Sequence, residues 1–493
     1  LVAGFAHAGP GHLLGNLFGA LTLAPIVEYV VGHYPREGPE TDLSAAFARG
    51  ETAPSTLRER LDTLRRSPVA RAFLLFPLVV AVVGVLITLF TIGAVVGFSG
   101  VVFAFAGFAL ARYPLATVLA LVASDVLNLV YNALQSPTIT ASGRSRFVTP
   151  WFADIAIQGH AIGLLVGVVL SALLLARRGE DPPSPARLFV GALLLASAQS
   201  LWAVYWYRGG TEYVLFRAAG LGVVALAAVL IVVAVAGPDR RPFASSDGAT
   251  HDRGATRSDG GVGDDSGIRN LSVRQAGMAG IVVAAALLSG PAVAVNLVST
   301  AGDLPGEPAT VGDYEVTYAE GVENEMVSAI PVTLFGETTQ VTTSGVIVSN
   351  PERGIWQSVV PRGRLAANGR ATVVVGGVGW RDTVTVVRRG WSAVGGGAAY
   401  AVALDHEGEQ RTVYTSGLAQ AEPRIAGQNV SVAARDESFL LLVTEANDTV
   451  HTTLPEVNES VTVRNVTFEK YDDRVVAVHE GTRVTVLKAE TYD

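Results

Sequence analysis

Three short segments of this chain hold the residue types and spacings that acyl-transfer chemistry needs. In Gly97-Phe98-Ser99-Gly100 a serine stands between two glycines, where a glycine-bearing stretch gives way to an apolar helix. Ser99 would then sit at a helix N-terminus, whose unpaired backbone N–H groups can hold a developing oxyanion. In Gly159-His160-Ala161-Ile162-Gly163-Leu164-Leu165-Val166-Gly167 a histidine opens an apolar helix with small residues recurring behind it. Its imidazole could take the Ser99 proton and return it to a leaving amine. In the segment from His7 to Asn16, His12 and Asn16 are four apart and share a helix face, where two side-chain donors could grip an oxyanion.

Each segment alone also admits a plain structural role. Glycine and serine line tightly packed membrane helices, a lone histidine can bond a backbone carbonyl, and His12 and Asn16 can satisfy one another. Gly-Phe-Ser-Gly is not the nucleophile elbow of soluble α/β-hydrolases, because Val101 stands where that motif needs its second glycine. A zinc site lacks supporting carboxylates at helix spacing. Thiolate chemistry is excluded outright, since there is no cysteine among the 493 residues. No metal and no cofactor is expected.

The elements that must position these residues lie in a membrane. Charged residues are only 16% of the chain and the mean hydropathy is +0.39, too apolar for an ordinary soluble protein. Apolar runs of bilayer-crossing length stop near residue 298. Candidate helices fall at 12–32, 72–93, 98–112, 115–134, 153–176, 188–207, 214–236 and 276–297. Arginine clusters in alternate connections: Arg36, Arg49, Arg58, Arg60, Arg65, Arg66 and Arg71 in one, then Arg112, Arg177, Arg178, Arg187, Arg240 and Arg241. By the positive-inside rule these segments are cytoplasmic. The other connections, with Arg144, Arg146 and Arg208, face outward, where Trp202, Tyr205, Trp206 and Tyr207 resemble an interfacial belt. An even number of crossings places everything after residue 298 outside, on the side of Leu1. Lysine occurs only at Lys470 and Lys488 and the net charge is -8, a balance suggesting a halophilic, GC-rich source. Nothing in it calls for a nucleic-acid partner.

Beyond residue 311 the pattern alternates at period two, as in TSGVIVSN, DTVTVVRR and TRVTVLKA, which predicts short strands and a sandwich-like all-β ectodomain. Asn429, Asn447, Asn458 and Asn465 lie in N-x-[ST] sequons, in keeping with an exported surface.

Taken together, the three segments resemble the rhomboid family of intramembrane serine proteases. The family's H-x-x-x-x-H-x-x-x-N pattern is matched by His7, His12 and Asn16, its G-x-S-G by Gly97 to Gly100, and its H-x-x-G-x-x-x-G by His160, Gly163 and Gly167, in the family's order. The resemblance implies Ser99 as nucleophile and His160 as base. It makes His12, Asn16 and the Ser99 backbone N–H the oxyanion hole, with His7 beside it and Phe103 against the catalytic imidazole. It implies a six-helix core, of which the first helix is missing ahead of residue 1, and a substrate gate beside the helix at 115–134. On that helix Asp125, Asn128 and Asn132 share one face, expected to be interior and bonded to a neighbour. Asp154, six residues before His160, belongs to a different helix face, so a dyad is expected and not a triad.

The expected architecture is a polytopic α-helical membrane protein, a rhomboid-like bundle, followed by an all-β soluble domain. Its parts are a catalytic core at 1–178, two added transmembrane helices within 179–242, a disordered cytoplasmic linker at 243–272, a further transmembrane helix at 273–298 and an extracellular β-rich domain at 299–493. The expected location is the cell membrane, the expected partners are the lipid bilayer and transmembrane protein substrates, and the ectodomain's partner is open. The competing reading is a catalytically inactive rhomboid-like receptor that binds and escorts membrane segments. A transporter is a third reading, for which inverted repeats are absent.

Overall fold

The structure is a computed structural model and describes residues 3–7, 9–32, 67–92, 97–138, 148–239, 271–297, 304–328, 331–334, 336–377, 379–436 and 438–492. The arginine-rich connection up to residue 66 and almost all of the expected linker lie outside the described residues.

Six helices are long and apolar enough to cross a membrane. They are α1 (Pro10–Gly32), α2 (Pro68–Phe90), α4 (Pro114–Gln135), α5 (Ile157–Arg178), α7 (Arg217–Ala236) and α8 (Val273–Leu297). Two shorter apolar helices, α3 (Ser99–Leu110) and α6 (Pro185–Ala198), complete the set among the described residues. The helical part is a multi-pass membrane protein. Proline opens α1, α2, α4 and α6, where its missing N–H has no helical partner to lose. The outer, lipid-facing positions are large and apolar, as Phe73, Leu119, Leu129 and Leu134 show.

The centre of this unit is α3, almost wholly buried, laid against α5. Glycine makes that approach possible. A Cβ at Gly107 would collide with the Leu164 carbonyl oxygen, one at Gly163 with the Gly100 carbonyl, and one at Gly167 with the Ala104 carbonyl. Small residues let membrane helices come together at the backbone, which is how van der Waals contact replaces the hydrophobic drive that lipid removes. At the other end, α5 finishes on Arg177 and Arg178 with Gly179 in the left-handed conformation (φ 65°). The Arg178 guanidinium donates at 2.8 Å to both the Val30 and Val31 carbonyls, which the end of α1 leaves without helical partners.

Two expectations for the helices need correction. The run expected as a helix over 188–207 stops at Ala198, and the chain then forms a hairpin of β1 (Tyr205–Gly209) and β2 (Glu212–Leu215). The aromatic and β-branched stretch Val204-Tyr205-Trp206-Tyr207 suits a strand better than a helix, and Gly209 and Gly210 supply the positive φ of the turn. On α4 the polar face is not turned inward. Asp125 and Asn132 are exposed, and Asn132 Nδ2 donates to Asn128 Oδ1 of the same helix at 3.3 Å.

The chain divides into two compact units, the helical one and a second that takes in Trp206–Val214 with Val298–Asp493. Within the second unit the hairpin is fastened to the strands that follow: Trp206 Nε1 donates to the Thr338 carbonyl at 3.0 Å, and Arg208 donates through Nε and Nη2 to the two carboxylate oxygens of Glu337. The unit is β-rich, as the alternation predicts, but has two large hydrophobic cores, with a small third cluster of Leu304, Ala319, Ile347 and Trp356, where a single sandwich has one. One gathers Val316, Tyr318, Val346 and Val360 with Val384, Val386 and Leu404; the other gathers Trp391 and Ala393 with Val432, Leu441, Phe468 and Leu487. The cause is one long strand, β3 (Trp380–Ala393), whose two halves point side chains into different cores. Its edge pairs with Arg370–Gly377 over the first half and with Thr482–Ala489 over the last residues.

Candidate active site

Ser99 is the first residue of α3, and Phe98 before it makes no side-chain cap. The Val101 and Val102 N–H groups already bond the Phe98 carbonyl, so among the described residues the N–H groups of Ser99 and Gly100 are the ones left open at this terminus. His160 lies in the first turn of α5. The close crossing of α3 and α5 brings the two together, with Ser99 Oγ 2.8 Å from His160 Nε2. That is hydrogen-bond distance between a hydroxyl and its base.

The imidazole is held in place by packing. Phe103, one helical turn beyond Ser99, stacks on the His160 ring with centroids 4.2 Å apart and planes inclined by 10°. Gly163, one turn beyond His160, lets the Gly100 backbone pass. His160 Nδ1 is buried and has no partner among the described residues. Asp154 ends a short 3-10 turn (Trp151–Asp154), and its side chain lies outside the described residues.

The third segment meets the other two at Gly97. This glycine has φ +135°, a conformation that side chains rarely adopt, and a Cβ there would stand 2.7 Å from His12 Nε2 and 3.7 Å from Asn16 Nδ2. His12 and Asn16, stacked one turn apart on α1, therefore both lie beside the residue that leads into the nucleophile's turn. Asn16 is 7% exposed, and its Nδ2 donor has no partner. His7 packs edge-on against His12 with centroids 5.4 Å apart, and its Nε2 is also buried and unpartnered. A buried polar group without a partner costs about 1–3 kcal/mol, so orphan donors gathered beside a hydroxyl–imidazole pair mark a place built for something other than stability. All ten residues singled out in the sequence, namely His7, His12, Asn16, Gly97, Ser99, Gly100, Phe103, His160, Gly163 and Gly167, are thus gathered around one α1–α3–α5 junction.

Residues 65–177 match the family model of the rhomboid domain. The chain carries a rhomboid domain over that stretch. The matched stretch contains Ser99 and His160 and leaves out His7, His12 and Asn16, of which His12 and Asn16 stand on α1. No curated protein matches the chain, and no solved structure does.

One neighbour of the rhomboid site is not apparent in the sequence. Gln158, two residues before His160, accepts from the Ile92 N–H through Oε1 at 2.9 Å and donates through Nε2 to the Leu288 carbonyl of α8. Beside it, a Cβ on Gly159 would be 3.1 Å from Thr91 Oγ1. A lone glutamine opening an apolar helix was the available signal. Its spacing belongs to no motif.

Elsewhere, among the described residues, Asp382, His406 and Glu407 place ligand-type atoms within 4.8 Å of one another. The His406–Asp382 hydrogen bond of 2.9 Å accounts for two of the three.

Proposed function

We propose that the chain is an intramembrane serine endopeptidase that cleaves transmembrane segments of membrane proteins. The observation that carries this reading is the 2.8 Å contact between Ser99 Oγ and His160 Nε2 at the N-terminus of α3. Ser99 attacks the scissile carbonyl while His160 takes its proton, and the resulting imidazolium later protonates the leaving amine. With His160 Nε2 receiving the hydroxyl proton, Nδ1 is the nitrogen that carries hydrogen in the resting dyad. The oxyanion is met by the Ser99 N–H, Asn16 Nδ2 and His12. Water then attacks the acyl-enzyme, with His160 as base once more. No charged partner is needed for the imidazole's orientation, because the Phe103 ring supplies it.

A peptide bond in an intact helix is bonded to its own ladder, so the substrate must unwind locally to present a carbonyl to Ser99. The polar, outward-lying residues Asp125, Asn128 and Asn132 on α4 support a role for that helix at the substrate's entry, since they can bond backbone groups freed by unwinding.

The β-rich unit is read as extracellular. It serves to hold partners or substrate ectodomains near the membrane, raising their effective concentration at the site.

The test is reconstitution of the full chain in liposomes with a single-span reporter whose transmembrane segment carries helix-breaking residues. Wild type releases two fragments, and Ser99→Ala and His160→Ala release none. Binding of the reporter without cleavage by wild type would favour the inactive escort reading. Cleavage that survives Ser99→Ala would overturn the assignment.

A further inference from the structure

The helix α8 stands outside the stretch that matches the rhomboid domain, yet it packs against α2 and α5, the helices that flank the catalytic turn. The contact that matters is made by Gln158. Its side-chain amide is a two-ended bridge: Oε1 accepts from the Ile92 N–H, and Nε2 donates to the Leu288 carbonyl. Ile92 lies seven residues before Ser99, just past the end of α2, and Gln158 lies two residues before His160. One amide thus joins the backbone leading to the nucleophile, the turn carrying the base, and a third helix.

The acceptor on α8 is placed where that helix is weakest. Ser289, Gly290 and Pro291 follow Leu288, and Pro291 has no N–H to return to the Leu287 carbonyl. Ser289 Oγ bonds back to the Ala285 carbonyl at 2.5 Å, a contact that further loosens a membrane helix. The carbonyl that Pro291 frees is that of Leu287, and the Leu288 carbonyl beside it takes the Gln158 amide as an added donor from another helix.

We infer that Gln158 is a positioning residue through which α8 sets the separation of Ser99 and His160. The inference rests on the serine protease reading, since it concerns that dyad's geometry. Its consequence is that the helix that leads by chain into the β unit fixes the catalytic turn as well as crossing the bilayer. A displacement of the dyad by about 1 Å is enough to cost on the order of a hundredfold in rate.

The experiment compares wild type, Gln158→Leu and Gln158→Glu, each as monodisperse full-length protein in detergent with a melting curve matching wild type. The readouts are kcat and KM on the single-span reporter and the rate of labelling by a fluorophosphonate. The Gln158→Glu change is isosteric, so it keeps the test open where the leucine variant fails to fold. It keeps an acceptor for the Ile92 N–H and turns an oxygen toward the Leu288 carbonyl. Both variants are expected to lose about tenfold or more in kcat and in labelling rate, with KM within about twofold. Either variant at wild-type kcat, or a rise in KM with kcat unchanged, overturns the role assigned to the α8 link. An unlabelled, inactive wild type is a different failure, that of the protease reading itself.

Discussion

At the residue scale, the account turns on which polar atoms are left without partners and why. Among the described residues Asn16 Nδ2 is buried and unpaired beside Gly97, so it adds no hydrogen bond to the folded state. Asn16→Ala should therefore lower kcat by about 10²–10³ while leaving thermal stability undiminished, since an oxyanion-hole donor acts only on the transition state. A parallel fall in the melting temperature would mark Asn16 as a structural residue. Gly97→Ala forces a side chain into a φ of +135° and against His12. Activity should fall at least tenfold, by about 1–2 kcal/mol of strain placed directly before the nucleophile's turn. These atoms were legible in the sequence as motif letters, and His12 with Asn16 as a helix-face pair. Gln158 was not, because a hydrogen bond spanning 130 residues of sequence leaves no local spacing to read.

At the scale of elements, the site depends on how closely α3 and α5 cross. The three glycines Gly107, Gly163 and Gly167 each face a backbone carbonyl of the opposing helix, so a side chain at any of them must push the helices apart. Gly163→Val should destabilise the membrane unit by about 1–3 kcal/mol, read by thermal unfolding in detergent. It should also separate Ser99 from His160, read as lost fluorophosphonate labelling. Normal labelling with a normal melt would show that the crossing tolerates a Cβ and that its tightness is incidental. Helix number and place were readable from apolar runs, because bilayer thickness fixes their length. Ends were less so. The stretch after Ala198 is as apolar as a helix, and only its β-branched and aromatic composition hints at the hairpin it forms. The orientation of α4 was misjudged for a related reason: spacing shows that Asp125, Asn128 and Asn132 share a face, but not which way the packed bundle turns it.

At the scale of the whole molecule, the chain joins a rhomboid domain to a large β unit, and the alternation in the sequence foretold the strands but not their division into two cores. That division depends on β3 serving both, which no local pattern encodes. Arg388 on this strand is 5% exposed, stacks on Tyr400 at 3.4 Å and pairs with Glu490 near the C-terminus. Glu490→Ala should cost the β unit about 3–5 kcal/mol by leaving a buried guanidinium unpaired, measured as the fall in that unit's unfolding transition. Deleting residues 300–493 should slow cleavage of substrates at low concentration and leave the rate at saturation unchanged, as loss of a tether does. Equal rates at all concentrations would remove the β unit from substrate capture. All of this presupposes that the dyad is chemically competent. The most direct measurement is reaction of the detergent-solubilised full chain with a fluorophosphonate, followed by mass mapping of the adduct. The account predicts a single adduct on Ser99, absent from Ser99→Ala and strongly reduced in His160→Ala. Equal labelling of all three proteins, or no labelling of the wild type, would contradict it.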